Sequence, residues 1–144
     1  MRFLVLGGTA WLGAEVAAEA LRRGHEVVCL ARGESGPVPD GATLVRADRD
    51  RPDAYDLVTG HWDAVVDVAR QPGHVRGAVA ALDADRYLLV STGNVYAETA
   101  PLHQDETAAL LPPLESDRWR RWRSTARRRS PASRRCWRCS ASEP

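Results

Sequence analysis

The sequence predicts an α/β protein built on a doubly wound parallel sheet of about five strands. Short apolar runs alternate with segments of helical periodicity, in the order β-α-β-β-α-β-α-β. A glycine-rich stretch, G-G-T-A-W-L-G at residues 7–13, separates the first apolar run from the first helical segment. Strands that are joined through helices pair in parallel with right-handed crossovers. With 144 residues, the chain is short for a full six-stranded sheet of this kind plus a second region, so we expect an incomplete sheet.

The individual elements are predicted from their apolar patterns. Strands that are buried on both faces of a parallel sheet are continuous apolar runs, as in E-V-V-C-L-A and A-V-V-D-V-A. Apolar residues from Val75 to Leu82 have the spacing of one packed helical face. The predicted strands are residues 2–6, 26–31, 43–47, 64–69 and 87–90, the predicted helices are residues 14–23, 52–59 and 72–82, and the predicted loops are residues 33–41 and 97–117.

Charge is divided unevenly along the chain, although the net charge is only +1. Residues 1–117 carry 10 Arg against 18 Asp and Glu, a balance of −8, and residues 118–144 carry 10 Arg against one Glu, a balance of +9. We therefore predict a folded domain at residues 1–117 and a disordered Arg- and Trp-rich tail at residues 118–144. The acidic domain argues against a nucleic-acid partner, although the tail has the charge and the rings to contact RNA.

Cysteine use and apolar content predict a cytoplasmic protein. Three cysteines, of which Cys29 lies in an apolar strand, provide no disulfide framework. No apolar run approaches the ~20 residues that span a bilayer, and Met1 leads directly into a strand rather than a signal peptide. Cys136 and Cys139 lack the further ligands of a structural zinc site, so no metal is predicted.

The glycine-rich stretch is the first candidate binding site. A glycine turn between a strand and a helix lets the backbone approach a pyrophosphate, and the N–H groups of the helix start face the negative charge. Gly7 and Gly13 occupy the outer positions of a G-x-x-G-x-x-G pattern, and Ala10 occupies the middle one. The order of strand, turn and helix favours dinucleotide binding over an empty structural turn.

Three polar residues near the ends of the next strands are further candidates. The second strand is followed by Arg32, which suits the 2′-phosphate of NADP better than the 2′-hydroxyl of NAD; the alternative is a solvated loop arginine. Asp48 follows the third strand, where its carboxylate would accept from an adenine amino group or would cap the loop. Asp67 lies within an apolar strand and would either face the cofactor crevice or pair with Arg70.

Four stretches of this sequence follow one another in the order of a known family. They are G-G-T-A-W-L-G at 7–13, A-R-G at 31–33, R-A-D-R-D at 46–50 and S-T-G-N-V-Y at 91–96. Together they resemble the extended and atypical short-chain dehydrogenase/reductases, and in particular the NAD-dependent epimerase/dehydratase family. The resemblance covers roughly residues 1–100.

This resemblance implies a Rossmann fold, NADP or NAD as cofactor, and a small hydroxyl or carbonyl substrate such as a sugar nucleotide. It assigns the cofactor to Gly7, Gly8, Thr9, Trp11, Leu12, Gly13, Arg32 and Asp48. It assigns the positioning of the substrate to Thr92, which would otherwise only cap the strand.

The family also uses a Y-x-x-x-K pair on a later helix. Its tyrosine is the acid/base for hydride transfer, and its lysine lowers the pKa of that tyrosine. This chain contains no lysine, and its last tyrosine is Tyr96. The resemblance therefore implies an inactive cofactor-binding chain, and the alternative is a non-catalytic nucleotide-sensing or RNA-associated module.

The tail is compatible with a shifted reading frame. Residues 122–132 can be recoded one base earlier as M-E-V-Y-G-A-A-K-V-A-C, which contains Y-x-x-x-K. Our hypothesis is that the frame shifts between Arg118 and Trp122. The residues after the shift would then be accidental, and the catalytic half of the family would be lost from this chain.

Overall fold

The computed structural model describes residues 1–98, 103 and 105–118, and the predicted tail beyond Arg118 lies outside these residues. The strands are β1 (Arg2–Leu6), β2 (Glu26–Ala31), β3 (Thr43–Arg46), β4 (His61–Trp62), β5 (Ala64–Asp67), β6 (Asp83–Ala84) and β7 (Tyr87–Leu89), and the α-helices are α1 (Trp11–Arg22) and α2 (Pro72–Ala81). Neither helix in this part of the chain has the length and hydropathy to cross a membrane.

Five parallel strands form the main sheet, in the order β3-β2-β1-β5-β7. The chain builds outward from β1 to β3, then returns past β1 to add β5 and β7 on the other side. This confirms the predicted doubly wound α/β fold and its five main strands. The reversal places a crevice between the carboxyl ends of β1 and β5, which is where open α/β sheets bind ligands.

The sheet is covered on both faces. Leu4 and Leu6 of β1 pack into one cluster with Leu30, Tyr55, Val58, Trp62, Val65 and Ala78. Val5 packs into the opposite cluster with Ala17, Ala20, Val27 and Cys29. Successive strand residues point to opposite faces of the sheet, and both faces are covered. The central residues of β1 are therefore apolar on both faces.

Sequence and structure differ at the first helix and at the segment after β3. Helix α1 begins at Trp11, three residues before its predicted start. The helix predicted at residues 52–59 is wrong, because the chain forms turns and then a 3₁₀ helix at Asp56–Val58. Tyr55 is buried there, and its hydroxyl donates to the carbonyl of His74 at 2.7 Å. The segment therefore bends to place this side chain in the core and does not form a continuous helix.

The short strands β4 and β6 pair in parallel as a separate two-stranded sheet that the sequence did not predict. Two residues are too few to show a strand periodicity. Trp62 anchors this sheet, since its ring is buried and its Nε1 donates to the carbonyl of Val58 at 3.1 Å. At the exposed edge, hydrogen bonds that the His61 ring donates to the carboxylates of Asp83 and then Asp85 raise the pKa of His61.

A buried ion pair joins the loop after β3 to the end of β5. Asp67 is fully buried, and the side chain of Arg49 is 8% exposed. The two guanidinium nitrogens Nη1 and Nη2 of Arg49 donate to Oδ1 and Oδ2 of Asp67, each at 2.8 Å. The hydroxyl of Tyr87 donates to Oδ2 at 2.5 Å, and the backbone N–H of Ala69 donates to Oδ1 at 2.8 Å. The carboxylate is therefore satisfied by four hydrogen bonds.

The arginine of this pair is equally well satisfied. Its Nε donates to the hydroxyl of Tyr55 at 2.9 Å, and Nη2 also donates to the carbonyl of His74 at 2.9 Å. Burial disfavours the Arg49 cation, but the hydrogen bonds and charge of Asp67 outweigh it and raise the pKa of Arg49. Of the two roles considered for Asp67, the structural one applies, and its ionic partner is Arg49 rather than the expected Arg70.

We predict that Arg49→Met lowers the free energy of unfolding by about 3–5 kcal/mol, because it leaves the Asp67 carboxylate buried without a counter-ion. Urea denaturation of the variant and the parent chain measures the difference. The matched control is Arg51→Met, which removes an exposed arginine paired with Asp53 and is expected to cost less than ~1 kcal/mol. Equal losses in the two variants would contradict a stabilising role for the buried pair.

Candidate functional site

The glycine-rich turn follows β1 at the edge of the crevice. Gly7 has φ +103°, a conformation that side chains disfavour. Its N–H donates to the carbonyl of Leu30 in β2 at 2.9 Å, and its carbonyl accepts from the N–H of Ala10 at 3.4 Å. The chain therefore leaves the sheet, turns tightly and enters α1 within four residues.

Three glycines allow the turn to pack against its surroundings. A Cβ added to Gly7 would lie 2.6 Å from Cγ2 of Val68, and one added to Gly8 would overlap the sulfur of Cys29. A Cβ added to Gly13 would overlap the carbonyl oxygen of Gly7. The first turn of α1 thus lies directly on the backbone of the turn, with no space for side chains between them.

The amino end of α1 carries no capping side chain. Ala10 occupies the N-cap position, and no acid stands in the first helical turn. The first intrahelical bond runs from the N–H of Ala14 to the carbonyl of Ala10 at 2.9 Å. The N–H groups of Trp11, Leu12 and Gly13 precede this bond and carry the partial positive charge of a helix amino end.

The other residues of the turn differ in exposure. Thr9 is buried, Leu12 is half-buried and the Trp11 side chain is 80% exposed. A Cβ on Gly36 would lie 3.3 Å from the carbonyl oxygen of Thr9, so the loop after β2 lies against the turn.

Cys29 lies beneath the turn, where burial raises the pKa of its thiol to about 11. Cys29 is therefore a packing residue rather than a nucleophile.

Arg32 lies at the carboxyl end of β2, as predicted, and is exposed. Its Nη2 lies 3.1 Å from Oε2 of Glu34, an acid that the sequence analysis did not consider at this site.

Arg46 ends β3 in register with Ala31 of β2. A Cβ on Gly33 would lie 3.2 Å from Cζ of Arg46, so the guanidinium of Arg46 lies over Gly33. Sequence reasoning missed Arg46, although its position at a strand end was visible.

Asp48 follows β3 and stabilises the loop it begins. Its Oδ1 accepts from the N–H of Asp50 at 3.0 Å, and its backbone carbonyl accepts from the N–H of Arg51 at 2.9 Å. This is the capping interaction that was the alternative to adenine binding. Only one carboxylate oxygen is engaged in it, so the other is available as an acceptor.

Thr92 lies beyond the carboxyl end of β7. Its Oγ1 accepts from the N–H of Asn94 at 3.4 Å and caps the 3₁₀ helix Gly93–Val95. The alternative considered for Thr92 was capping of the strand, and the structure instead shows Thr92 capping the 3₁₀ helix that follows β7. The hydroxyl hydrogen is not used by this contact and can still be donated to a substrate oxygen.

The sheet arranges these candidates along one edge. Because all five strands are parallel, their carboxyl ends lie together. The glycine turn lies at the middle strand, Arg32 and Asp48 follow β2 and β3 on one side, and Thr92 follows β7 on the other.

A family model described as "NAD dependent epimerase/dehydratase family" matches residues 3–81. Among individual proteins, the chain is 36% identical over 72 residues to the photosystem II assembly factor Ycf39 of Synechocystis. That match covers 48% of this chain and 22% of the relative.

Solved structures show the same fold at low identity. A UDP-galactose 4-epimerase matches with a TM-score of 0.67 and 19% identity over 78% of this chain and 45% of its own. WbmG of Bordetella bronchiseptica, solved in complex with NAD, matches with a TM-score of 0.66 and 16% identity over 94% and 50%. UDP-glucose 4-epimerase of Thermotoga maritima, solved with UDP-glucose, matches with a TM-score of 0.59 and 18% identity over 78% and 45%. This chain spans half or less of the length of each.

We predict that Gly13→Ala destabilises the chain by ~1–3 kcal/mol, because the new methyl group would force α1 away from the carbonyl of Gly7. In an unconstrained helix the same change would stabilise by up to ~1 kcal/mol, so the sign of the effect is diagnostic. The control is Gly93→Ala, since a Cβ there meets nothing within 4 Å. Thermal unfolding measures both variants, and a Gly13→Ala chain as stable as its parent would contradict the close approach.

Proposed function

The chain belongs to the NAD-dependent epimerase/dehydratase family, and we propose that it binds NADP along the carboxyl edge of its sheet. We further propose that the site belongs to an epimerase, dehydratase or reductase that acts on a hydroxyl or carbonyl carbon of a sugar-nucleotide-like substrate. The observation that carries the proposal is the uncapped amino end of α1, packed on a glycine turn at the point where the strand order reverses.

The glycine turn would hold the pyrophosphate. Gly7, Gly8 and Gly13 leave the backbone bare, so an anion can come within hydrogen-bonding distance of main-chain N–H groups. The N–H groups of Trp11 and Leu12 belong to the first turn of α1 and contribute its partial positive charge. Thr9 is buried within the turn, and the exposed ring of Trp11 would lie beside the bound phosphates.

The adenosine end would lie over β2 and β3. Arg32 presents a fork of donors to a 2′-phosphate, at the price of its exposed pair with Glu34. The second carboxylate oxygen of Asp48 would accept from the adenine amino group. The family is described as NAD-dependent, and the preference for NADP rests on Arg32 alone among the predicted residues.

The reactive end would lie near Thr92. When bound, the cofactor supplies or accepts a hydride. The hydroxyl of Thr92 would donate to the substrate carbonyl or alcohol oxygen and orient the reacting carbon. The UDP-glucose 4-epimerase of Thermotoga maritima, solved with UDP-glucose, supports a sugar nucleotide as the substrate class, because it shares the sheet that carries these residues.

We predict that the 144-residue chain binds NADP⁺ at least ~10-fold more tightly than NAD⁺, because a charge-assisted contact to phosphate is worth ~1.5–3 kcal/mol. Arg32→Ala should weaken NADP⁺ binding by ~10-fold while NAD⁺ binding stays within ~3-fold, since only the 2′-phosphate is affected. Isothermal titration calorimetry measures the affinity of each chain for both cofactors. The control is Arg22→Ala, an exposed arginine in the last turn of α1. Equal affinity of the parent chain for NAD⁺ and NADP⁺ would contradict the preference.

We predict that the same chain turns over NADPH or NADP⁺ at the background rate with UDP-glucose or UDP-galactose. It contains no lysine and no tyrosine after Tyr96 to act as the base, and general acid–base groups supply ~10²–10⁴ in rate. Chromatography of the sugar nucleotides measures turnover that leaves the cofactor unchanged, and absorbance at the nicotinamide band measures net oxidation or reduction, with Thr92→Val as the matched variant. Sustained turnover that Thr92→Val abolishes would contradict the prediction.

A further inference from the structure

We propose that Arg46 is a second recognition residue for the 2′-phosphate of NADP and that Glu34 is its built-in competitor. The two arginines and the acid, Arg32, Arg46 and Glu34, are called the guanidinium site here. The inference rests on the proposed cofactor function and goes beyond it by naming the residues that set cofactor choice.

The backbone brings the two arginines to the same corner of the sheet. Ala31, the last residue of β2, pairs in register with Arg46, the last residue of β3. Arg32 therefore leaves β2 immediately beside Arg46. The N–H of Ala47 donates to the carbonyl of Ala31 at 3.1 Å, which continues the pairing past the strand ends. Both guanidinium groups therefore belong to the edge on which the adenosine end would lie.

Gly33 is the residue that makes room for Arg46. It has φ +81°, and a side chain there would overlap Nη1 of Arg46. With glycine at this position, the guanidinium of Arg46 lies directly over the backbone between Arg32 and Glu34. Arg32 thus belongs to the loop after β2, and Arg46 reaches over this loop from the end of β3.

The charges of the guanidinium site do not balance. Arg32 pairs with Glu34 at 3.1 Å, whereas Arg46 has no ion pair within the described part of the chain. Two guanidinium groups against one carboxylate leave a net charge of +1. A phosphate monoester carries about −1.5 to −2 at neutral pH and offers three acceptor oxygens, so it complements two arginine forks. The neutral 2′-hydroxyl of NAD offers no such charge.

The carboxylate of Glu34 forms an ion pair with the guanidinium of Arg32 and so competes with a phosphate for it. The two side chains of this pair are 61% and 65% exposed, so the contact is a surface ion pair worth ~0.2–1 kcal/mol. A phosphate that contacts both arginines gains more than this and displaces the carboxylate. Once displaced, the carboxylate remains close to the phosphate and weakens its binding by like-charge repulsion. Removing the charge of Glu34 should therefore strengthen the binding of NADP.

The test is calorimetric titration of four chains, which are the parent, Arg46→Ala, Glu34→Gln and the control Arg22→Ala, each with NADP⁺, NAD⁺ and adenosine 2′,5′-bisphosphate. We expect Arg46→Ala to lower the affinity for NADP⁺ and for the bisphosphate by ~10-fold or more. The affinity for NAD⁺ should fall by less than ~3-fold. We expect Glu34→Gln to strengthen NADP⁺ by ~2–5-fold. Arg22→Ala should change none of the three. Circular dichroism verifies that each variant keeps the fold.

Two results would overturn the inference and leave cofactor binding intact. One is an Arg46→Ala chain that binds NADP⁺ as its parent does, and the other is an equal loss of NADP⁺ and NAD⁺ affinity in that variant. A parent chain that binds neither dinucleotide would instead contradict the proposed function itself. An affinity for NADP⁺ that Glu34→Gln lowers would contradict the role of Glu34 as competitor.

Discussion

The buried ion pair between Arg49 and Asp67 holds together the parts of the fold that the candidate site requires. Arg49 belongs to the loop after β3, Asp67 ends β5, and the pair also binds Tyr87 of β7 and the carbonyl of His74 in α2. These elements lie on both sides of the crevice. Hydrogen bonds satisfy both charges, which is the condition under which a buried pair is tolerated. Asp48 precedes Arg49 by one residue, so the same pair also anchors the loop that Asp48 begins.

The second constraint is the bare backbone of the glycine turn. Gly13 brings the amino end of α1 onto the carbonyl of Gly7, and Gly8 fits over Cys29 in β2. The strand order then places this turn at the centre of the carboxyl edge, between a charged side and a hydroxyl side. The same residues serve close packing and would serve the proposed binding, because the absence of side chains that allows close packing also leaves N–H groups open to an anion.

Features governed by local pattern could be predicted from the sequence. The five main strands were visible as apolar runs, and the glycine turn was visible by its place between a strand and a helix. Features that depend on distant residues could not. The partner of Asp67 is Arg49, 18 residues away, and nothing in the sequence distinguished it from nearby Arg70. The segment 52–59 has helical composition, but burial of Tyr55 decides its path. Arg46 becomes a candidate only when the register of β2 and β3 is known.

The most direct test is to locate NADP⁺ on the chain by ¹H–¹⁵N correlation spectra of the labelled protein during titration. The largest shifts are expected at the amides of Gly7, Gly8 and Gly13, followed by that of Gly33, which lies between Arg32 and Glu34 of the guanidinium site. Amides of β4 and β6, which lie away from the carboxyl edge of the main sheet, should stay unchanged. Saturable binding that leaves the glycine turn unperturbed would contradict a dinucleotide site at this edge.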